Sequence, residues 1–199
     1  MHGVQREIFM KKLILSFLAL LFISAAIFAD QDSFFTNEVS LGTGIPIYNE
    51  SSSVARKDIL STSNYKRIVA GLTLDTNLNI SASIKILLGA ELFTDFLWNE
   101  GLYYNSLDYS FLGGIKFYPG IKGLNISITY VLGNRSDFMS QNEPVTQFWG
   151  NGFRLAVQYD FLTDRVTKIK PILGGYYRFV PRGNYNTDHI LSIYSGIRF

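Results

Sequence analysis

Apolar residues recur on every second position along most of this chain. Between Ile80 and Leu92 one face reads Ile80, Ala82, Ile84, Ile86, Leu88, Ala90 and Leu92, and the other reads Ser81, Ser83, Lys85, Leu87, Gly89 and Glu91. A period of two is the pace of a β-strand. The same rule predicts strands carrying Val39, Leu41, Thr43 and Ile45; Ile68, Ala70, Leu72 and Leu74; Leu107, Tyr109, Phe111, Gly113, Ile115 and Phe117; and Leu124, Ile126, Ile128, Tyr130 and Leu132. Three more follow: Trp149 with Phe153 to Phe161, Ile169 to Phe179, and Ile190 to Phe199. Short links (75–79, 118–123, 162–167) alternate with longer ones rich in Asn, Ser and Asp (49–64, 94–101, 134–147, 180–189). An even number of strands with short turns at one rim and long loops at the other is the layout of an all-β, eight-stranded antiparallel up-and-down transmembrane β-barrel.

Alternation alone does not say which face points out, because a soluble lipocalin-like barrel would turn the apolar set inward. Volume decides between them. An eight-stranded barrel is only just wide enough for its own side chains. The polar set is small (Gly71, Ser81, Ser83, Gly89, Gly114, Ser127, Gly133, Gly152, Gly174, Gly196), whereas the apolar set is crowded with Phe, Tyr, Ile and Leu. The apolar face is therefore expected to meet lipid. Trp98, Tyr103, Trp149 and Phe179 would form an aromatic belt near the long-loop rim, and Phe35, Tyr118, Phe161 and Phe199 one near the other.

The first 29 residues read differently. Met10, Lys11 and Lys12 form a positive start, Leu13 to Ile23 an apolar run and Ser24 to Ala29 a small-residue close, which predicts a secretory signal peptide cut before Asp30. A membrane-anchoring helix is the competing reading, but the run is shorter than the roughly 20 residues a span requires. Residues 1–9 precede a good start at Met10. The expected organisation is thus an extension and signal peptide over 1–29 and one barrel domain over 30–199. Residues 1–29 hold Arg6, Lys11, Lys12 and Glu7, so the chain's 18 basic and 16 acidic residues become 15 of each in the mature barrel. A neutral chain without a basic patch gives no case for nucleic acid. There is no cysteine, which excludes disulfides, thiolate metal sites and cysteine nucleophiles.

The last strand carries a further signal. Leu191, Ile193, Ile197 and the final Phe199 fall on one face, and this tail resembles the terminal signature by which diderm bacteria recognise outer-membrane β-barrels for insertion. From Asp30 to Phe199 the chain is similar to the small outer-membrane β-barrel superfamily, which includes OmpX/Ail-like, OmpA-barrel-like and OmpW-like proteins. That resemblance implies an outer-membrane location with both termini and the short turns in the periplasm. It implies as partners outer-membrane lipid and lipopolysaccharide, the barrel assembly machinery and periplasmic chaperones, with host or envelope ligands at the outer loops of a monomer.

The concentrated chemistry lies on the inward face. Arg67, Lys85, Lys116, Arg135, Arg154, Lys168, Lys170, Arg178 and Arg198 stand against Glu38, Asp75, Glu91, Asp108 and Asp160. The favoured reading is an ion-paired polar plug, with Glu91 to Arg67, Asp160 to Lys168 or Lys170, and Glu38 to Arg198 as the expected pairs. Catalysis has little to work with. Nucleophilic hydrolysis needs a base beside a hydroxyl, and the one mature histidine, His189, expected on a rim loop, lacks the His-X-Ser spacing of a lipid A deacylase because Leu191 occupies that place. One histidine and no cysteine give no metal site, and no cofactor is expected. Two roles remain: a structural or adhesion-like interaction protein, and an OmpW-like conduit for small hydrophobic molecules. Pro171 would serve the conduit, since it removes a hydrogen-bond donor from its strand. A lipid A modifying enzyme is a more distant alternative.

Overall fold

The computed structural model describes residues 34–49, 54–61, 64–99, 101–140, 143–161, 168–183 and 186–199. The expected leader and the turn at 162–167 lie outside the described residues. Eight long strands make the wall: β1 (Phe35–Asn49), β2 (Lys66–Asn79), β3 (Ile84–Asn99), β4 (Leu102–Phe117), β5 (Leu124–Met139), β6 (Gly150–Asp160), β7 (Lys170–Pro181) and β8 (Thr187–Arg198). Each pairs with the next, and β1 pairs with β8, so the sheet closes on itself. One helix, α1 (Val54–Ser61), follows β1, and a two-residue strand, Val145–Thr146, lies against β5.

Closure satisfies the backbone ladder without an edge, the condition for a sheet in lipid. At the closing seam Glu38 to Asn49 run antiparallel to Arg198 to Thr187. The seam is fastened at its end by Asn37 and Phe199, whose backbones exchange bonds of 2.8 and 2.9 Å. Both chain ends of the wall lie at this terminal rim, and α1 lies at the opposite, far rim.

The face assignment follows the alternation. Leu41, Ile45, Leu88, Phe111, Ile115, Ile128, Val157, Leu173, Leu191 and Ile193 point outward and are exposed, Ile193 to 67%. Their even spread around the wall is the apolar band of a membrane barrel. Aromatic residues gather toward the far rim, where Phe96 stacks on Trp98 at 5.0 Å, Trp149 meets Tyr109 edge-on at 5.8 Å and Phe153 meets Phe179 at 5.7 Å. Inward, the small residues have a more specific use than emptying the lumen. Gly71 faces Phe93 and Gly174 faces Tyr194 across the strand pairs, so each glycine leaves the hole that a large inward neighbour fills. A β-carbon on Gly174 would stand 2.5 Å from the Tyr194 ring.

Several expected boundaries move. Ile80 does not open the third strand, because the Ser81 hydroxyl accepts the amides of Ser83 and Ile84 at 3.3 and 3.1 Å and turns the chain there. β2 therefore runs on through Asp75 and Asn77, past the expected start of the turn at 75. The expected loop at 94–101 is mostly strand: Thr94, Phe96 and Trp98 continue one face, Asp95 and Leu97 the other. The hairpin reverses at its tip, where Gly101 takes a φ of +91°. Likewise β5 extends to Met139, β7 to Pro181, and β8 begins at Thr187. Tyr118 leaves the expected aromatic belt and turns over the lumen mouth, drawn by the polar partners described below.

A charge on the outward face should therefore be costly. Phe111→Arg, in the middle of the β4 apolar stripe, is expected to lower stability in lipid vesicles by about 2 to 4 kcal/mol. Urea unfolding reads this, and a loss near zero would place Phe111 outside the lipid band.

Candidate functional site

Strand alternation places every second residue of the wall inside, and the charged ones in the middle of the lumen are too deep for water to solvate. Each must find a counter-charge in the protein. A continuous chain of ion pairs results. Asp137 holds Arg135 Nε at 3.1 Å, and Arg135 Nη1 reaches Asp188 of β8 at 2.5 Å. Asp188 also accepts Arg182 Nε at 2.6 Å, and Arg182 Nη2 donates to Asp108 of β4 at 3.0 Å. Asp108 lies 2.9 Å from Arg178 of β7, which donates to Glu91 of β3 at 2.8 Å. Glu91 then takes Arg154 of β6 at 3.1 Å, and Arg154 lies 3.4 Å from Asp75 of β2. Five carboxylates thus alternate with four guanidiniums from the far rim into the terminal half of the lumen. Arginine suits this use because its planar fork serves two carboxylates at once. Arg135 and Arg178 are fully buried, Tyr176 adds a hydroxyl to Glu91 at 3.2 Å, and Gln147 adds an amide to Asp137 at 3.0 Å.

Each end of this ladder meets further groups. At the far rim Asp95 takes Arg67 through two bonds of 2.7 and 3.0 Å, and Arg56 of α1 at 3.3 Å. The Arg135 and Arg56 guanidiniums lie 4.3 and 5.3 Å from the centre of the Tyr48 ring. Ile59 of α1, only 2% exposed, packs on the inward residues Leu97 and Tyr104. At the terminal rim Lys116 donates to both oxygens of Glu38, at 2.8 and 2.7 Å. Asp160 takes Arg198, Asn125 at 3.1 Å and Gln158 at 2.7 Å. The Tyr118 hydroxyl donates to Asp160 at 3.3 Å and accepts from Arg198 at 3.0 Å, while Lys85 stands 4.9 Å over its ring.

No protein-family model and no curated protein matches the chain. Solved structures do. Ail, the attachment invasion locus protein of Yersinia pestis, in complex with the heparin analogue sucrose octasulfate, superposes with a TM-score of 0.57 at 10% identity, covering 83% of this chain and 99% of that one. A second Ail structure gives 0.54 at 10% identity, covering 82% and 98%. The chain has the fold of the small bacterial outer-membrane β-barrels.

Within this outer-membrane-type barrel the pairing differs from that expected of adjacent strands. Arg67 lies opposite Leu97, two residues from Asp95 on the same face, whereas Glu91 is six residues further along β3, about 20 Å away. Arg67 therefore binds Asp95, and Glu91 goes to Arg154 and Arg178. Glu38 and Arg198 are register partners, yet Glu38 crosses to Lys116 and Arg198 turns to Asp160. Asp160 is thereby committed, and neither Lys168 nor Lys170 holds it. Asp95, Asp137, Arg182, Asp188 and Arg56 were missed because their segments were read as loop. The continuing alternation past Thr94 and Asn134 was the signal that places the first two inside.

His189, expected on a rim loop, stands in the wall instead. His189 is in β8, facing outward, with Nδ1 2.7 Å from the Tyr177 hydroxyl and its ring 4.9 Å from Phe179. Ser192 is buried on the opposite face and donates to the Thr43 carbonyl at 2.9 Å. The two cannot act together. Leu191, Ile193 and Ile197 are exposed on the outer face of β8, and Pro171 lies opposite Ile197 at the start of β7.

Double-mutant cycles distinguish the observed pairing from the adjacent-strand one. Arg67→Gln and Asp95→Asn should be strongly non-additive in unfolding free energy, with a coupling of roughly 0.5 to 3 kcal/mol. Arg67→Gln with Glu91→Gln should be additive. The reverse pattern would contradict the register.

Proposed function

We propose that this protein is a monomeric outer-membrane barrel whose lumen is closed and whose role is structural and adhesion-like rather than enzymatic. The observation that carries the reading is the unbroken alternation of charge from Asp137 to Asp75. A conducting lumen needs mobile water and unpaired polar walls, whereas here each ladder arginine is shared between two carboxylates. α1 closes the far mouth above the ladder, since Arg56 and Ile59 both engage inward residues.

In this reading the chain ends face the periplasm. Leu191, Ile193, Ile197 and Phe199 guide assembly, and the far rim, with Phe148 and Trp149 exposed, faces outward. The belt of Tyr177, Phe179 and His189 suits the headgroup level of lipopolysaccharide, because amphipathic rings settle where apolar and wet regions meet. Ail was solved with a sulfated sugar, which makes extracellular polyanions one class to screen at the far rim of this chain. The conduit alternative rests on Pro171. It lies at the beginning of β7, where its carbonyl still accepts the Phe161 amide at 3.0 Å, and beyond it the strand pairs without a break with β6 from Ile172 to Phe179 and with β8 as far as Pro181, which speaks against a gap there.

Planar-bilayer recording of the refolded protein tests the reading. No stable single-channel current is expected from the parent. A reproducible ion current from the parent, altered by Arg178→Ala, would transfer the assignment to transport.

A further inference from the structure

Commitment of Asp160 to Arg198 leaves an imbalance at the terminal mouth of the lumen. Lys85 lies directly opposite Lys116 across β3 and β4, and Lys170 lies directly opposite Arg198 across β7 and β8. Like charges in register on one face repel. The mouth thus gathers four inward cations, Lys85, Lys116, Lys170 and Arg198. Its carboxylates among the described residues are Glu38 and Asp160, already engaged by Lys116 and Arg198. Asp75, the next carboxylate inward, is held by Arg154. The remaining polar groups of the mouth, the Tyr118 hydroxyl and the Asn125 and Gln158 amides, are drawn in around Asp160. Lys85 has a ring for a partner rather than an anion, and that contact with Tyr118 holds its ammonium at the opening.

We propose that the terminal mouth is a binding site for a phosphate group, held between Lys85 and Lys170 against the positive background of Lys116 and Arg198. Counted over the described side chains, the mouth carries two surplus positive charges, which match the charge of a phosphate, and compact ammonium groups on flexible stems suit a ligand that approaches from the rim. The phosphate comes either from a phospholipid headgroup at the rim or from a soluble phosphate. The site goes beyond the closed-barrel reading and stands whether or not the lumen conducts.

The test uses the full barrel refolded in a non-ionic maltoside. Without phosphate, Lys85→Gln and Lys170→Gln should each raise the urea midpoint, because each removes a cation facing a cation. With inorganic phosphate or pyrophosphate the parent should gain stability as ligand binds the folded state. Each single variant should bind pyrophosphate roughly tenfold more weakly, the weight of one charge-assisted hydrogen bond. The double variant should show no stabilisation, and Lys66→Gln, exposed at the far rim, should behave as the parent. Micelles doped with phosphatidylglycerol identify the source: stabilisation there without added phosphate assigns a lipid headgroup, and stabilisation by the soluble anion only assigns a free phosphate. Equal stabilisation of the parent and the double variant, or none in either by both probes, would overturn the site.

Discussion

A charge inside an eight-stranded barrel has almost no water to turn to, and this constraint organises everything within the wall. Burying a lone carboxylate or guanidinium costs several kcal/mol even after relaxation, and only a well-placed opposite charge offsets it. The alternating run of Asp137, Arg135, Asp188, Arg182, Asp108, Arg178, Glu91, Arg154 and Asp75 meets that demand by sharing each arginine between two acids. Such a ladder is weak evidence for stability in the absolute, because an apolar core of equal volume would serve as well. Its consequence is specificity. Partners drawn from β2 to β8 fix how those strands stand across the lumen, and one missing member strands its neighbours.

The outer face obeys the opposite constraint. Lipid accepts no unpaired polar group, so Leu41, Phe111, Ile128 and Ile193 stand where a soluble protein would show charge, and every strand is bonded on both sides. Glycines reconcile the two faces. At Gly71 and Gly174 the missing side chain admits Phe93 and Tyr194 to the lumen, where they pack among the polar groups in place of water.

Face and strand number were legible in the sequence because a period of two survives every local irregularity in the wall. Strand ends were less so. Thr94, Asp95 and Asn99 are turn-forming residues by type, but their alternation continues and the hairpin carries them beyond the apolar band. The helix over 54–61 gave no such signal, since it is anchored through Ile59 rather than by a repeating apolar face. Asp95, Asp137, Arg182 and Asp188, in segments that read as loop, were not identifiable, while the charged residues within the expected strands were identifiable from their face. Their partners were not, because the choice is made across the barrel rather than between neighbours: Lys116 and Glu38 are 78 residues apart, and Arg178 and Glu91 are 87 apart. The stagger that brings them level is a property of the closed sheet, which no single strand encodes.

If the lumen is closed as proposed, the two rims are the places where such a barrel meets other molecules. The far rim bears α1 and exposed aromatic residues, and the terminal rim bears a surplus of cations. Whether the ladder is dry is measurable directly. In the protein reconstituted in lipid, hydrogen exchange at arginine Nε–H groups, followed by nitrogen-15 NMR, reports water access to each guanidinium. The ladder predicts slow exchange at Arg135 and Arg178 and fast exchange at the partly exposed Arg67. Exchange at all three as fast as in free arginine would mean a water-filled lumen and would contradict the account.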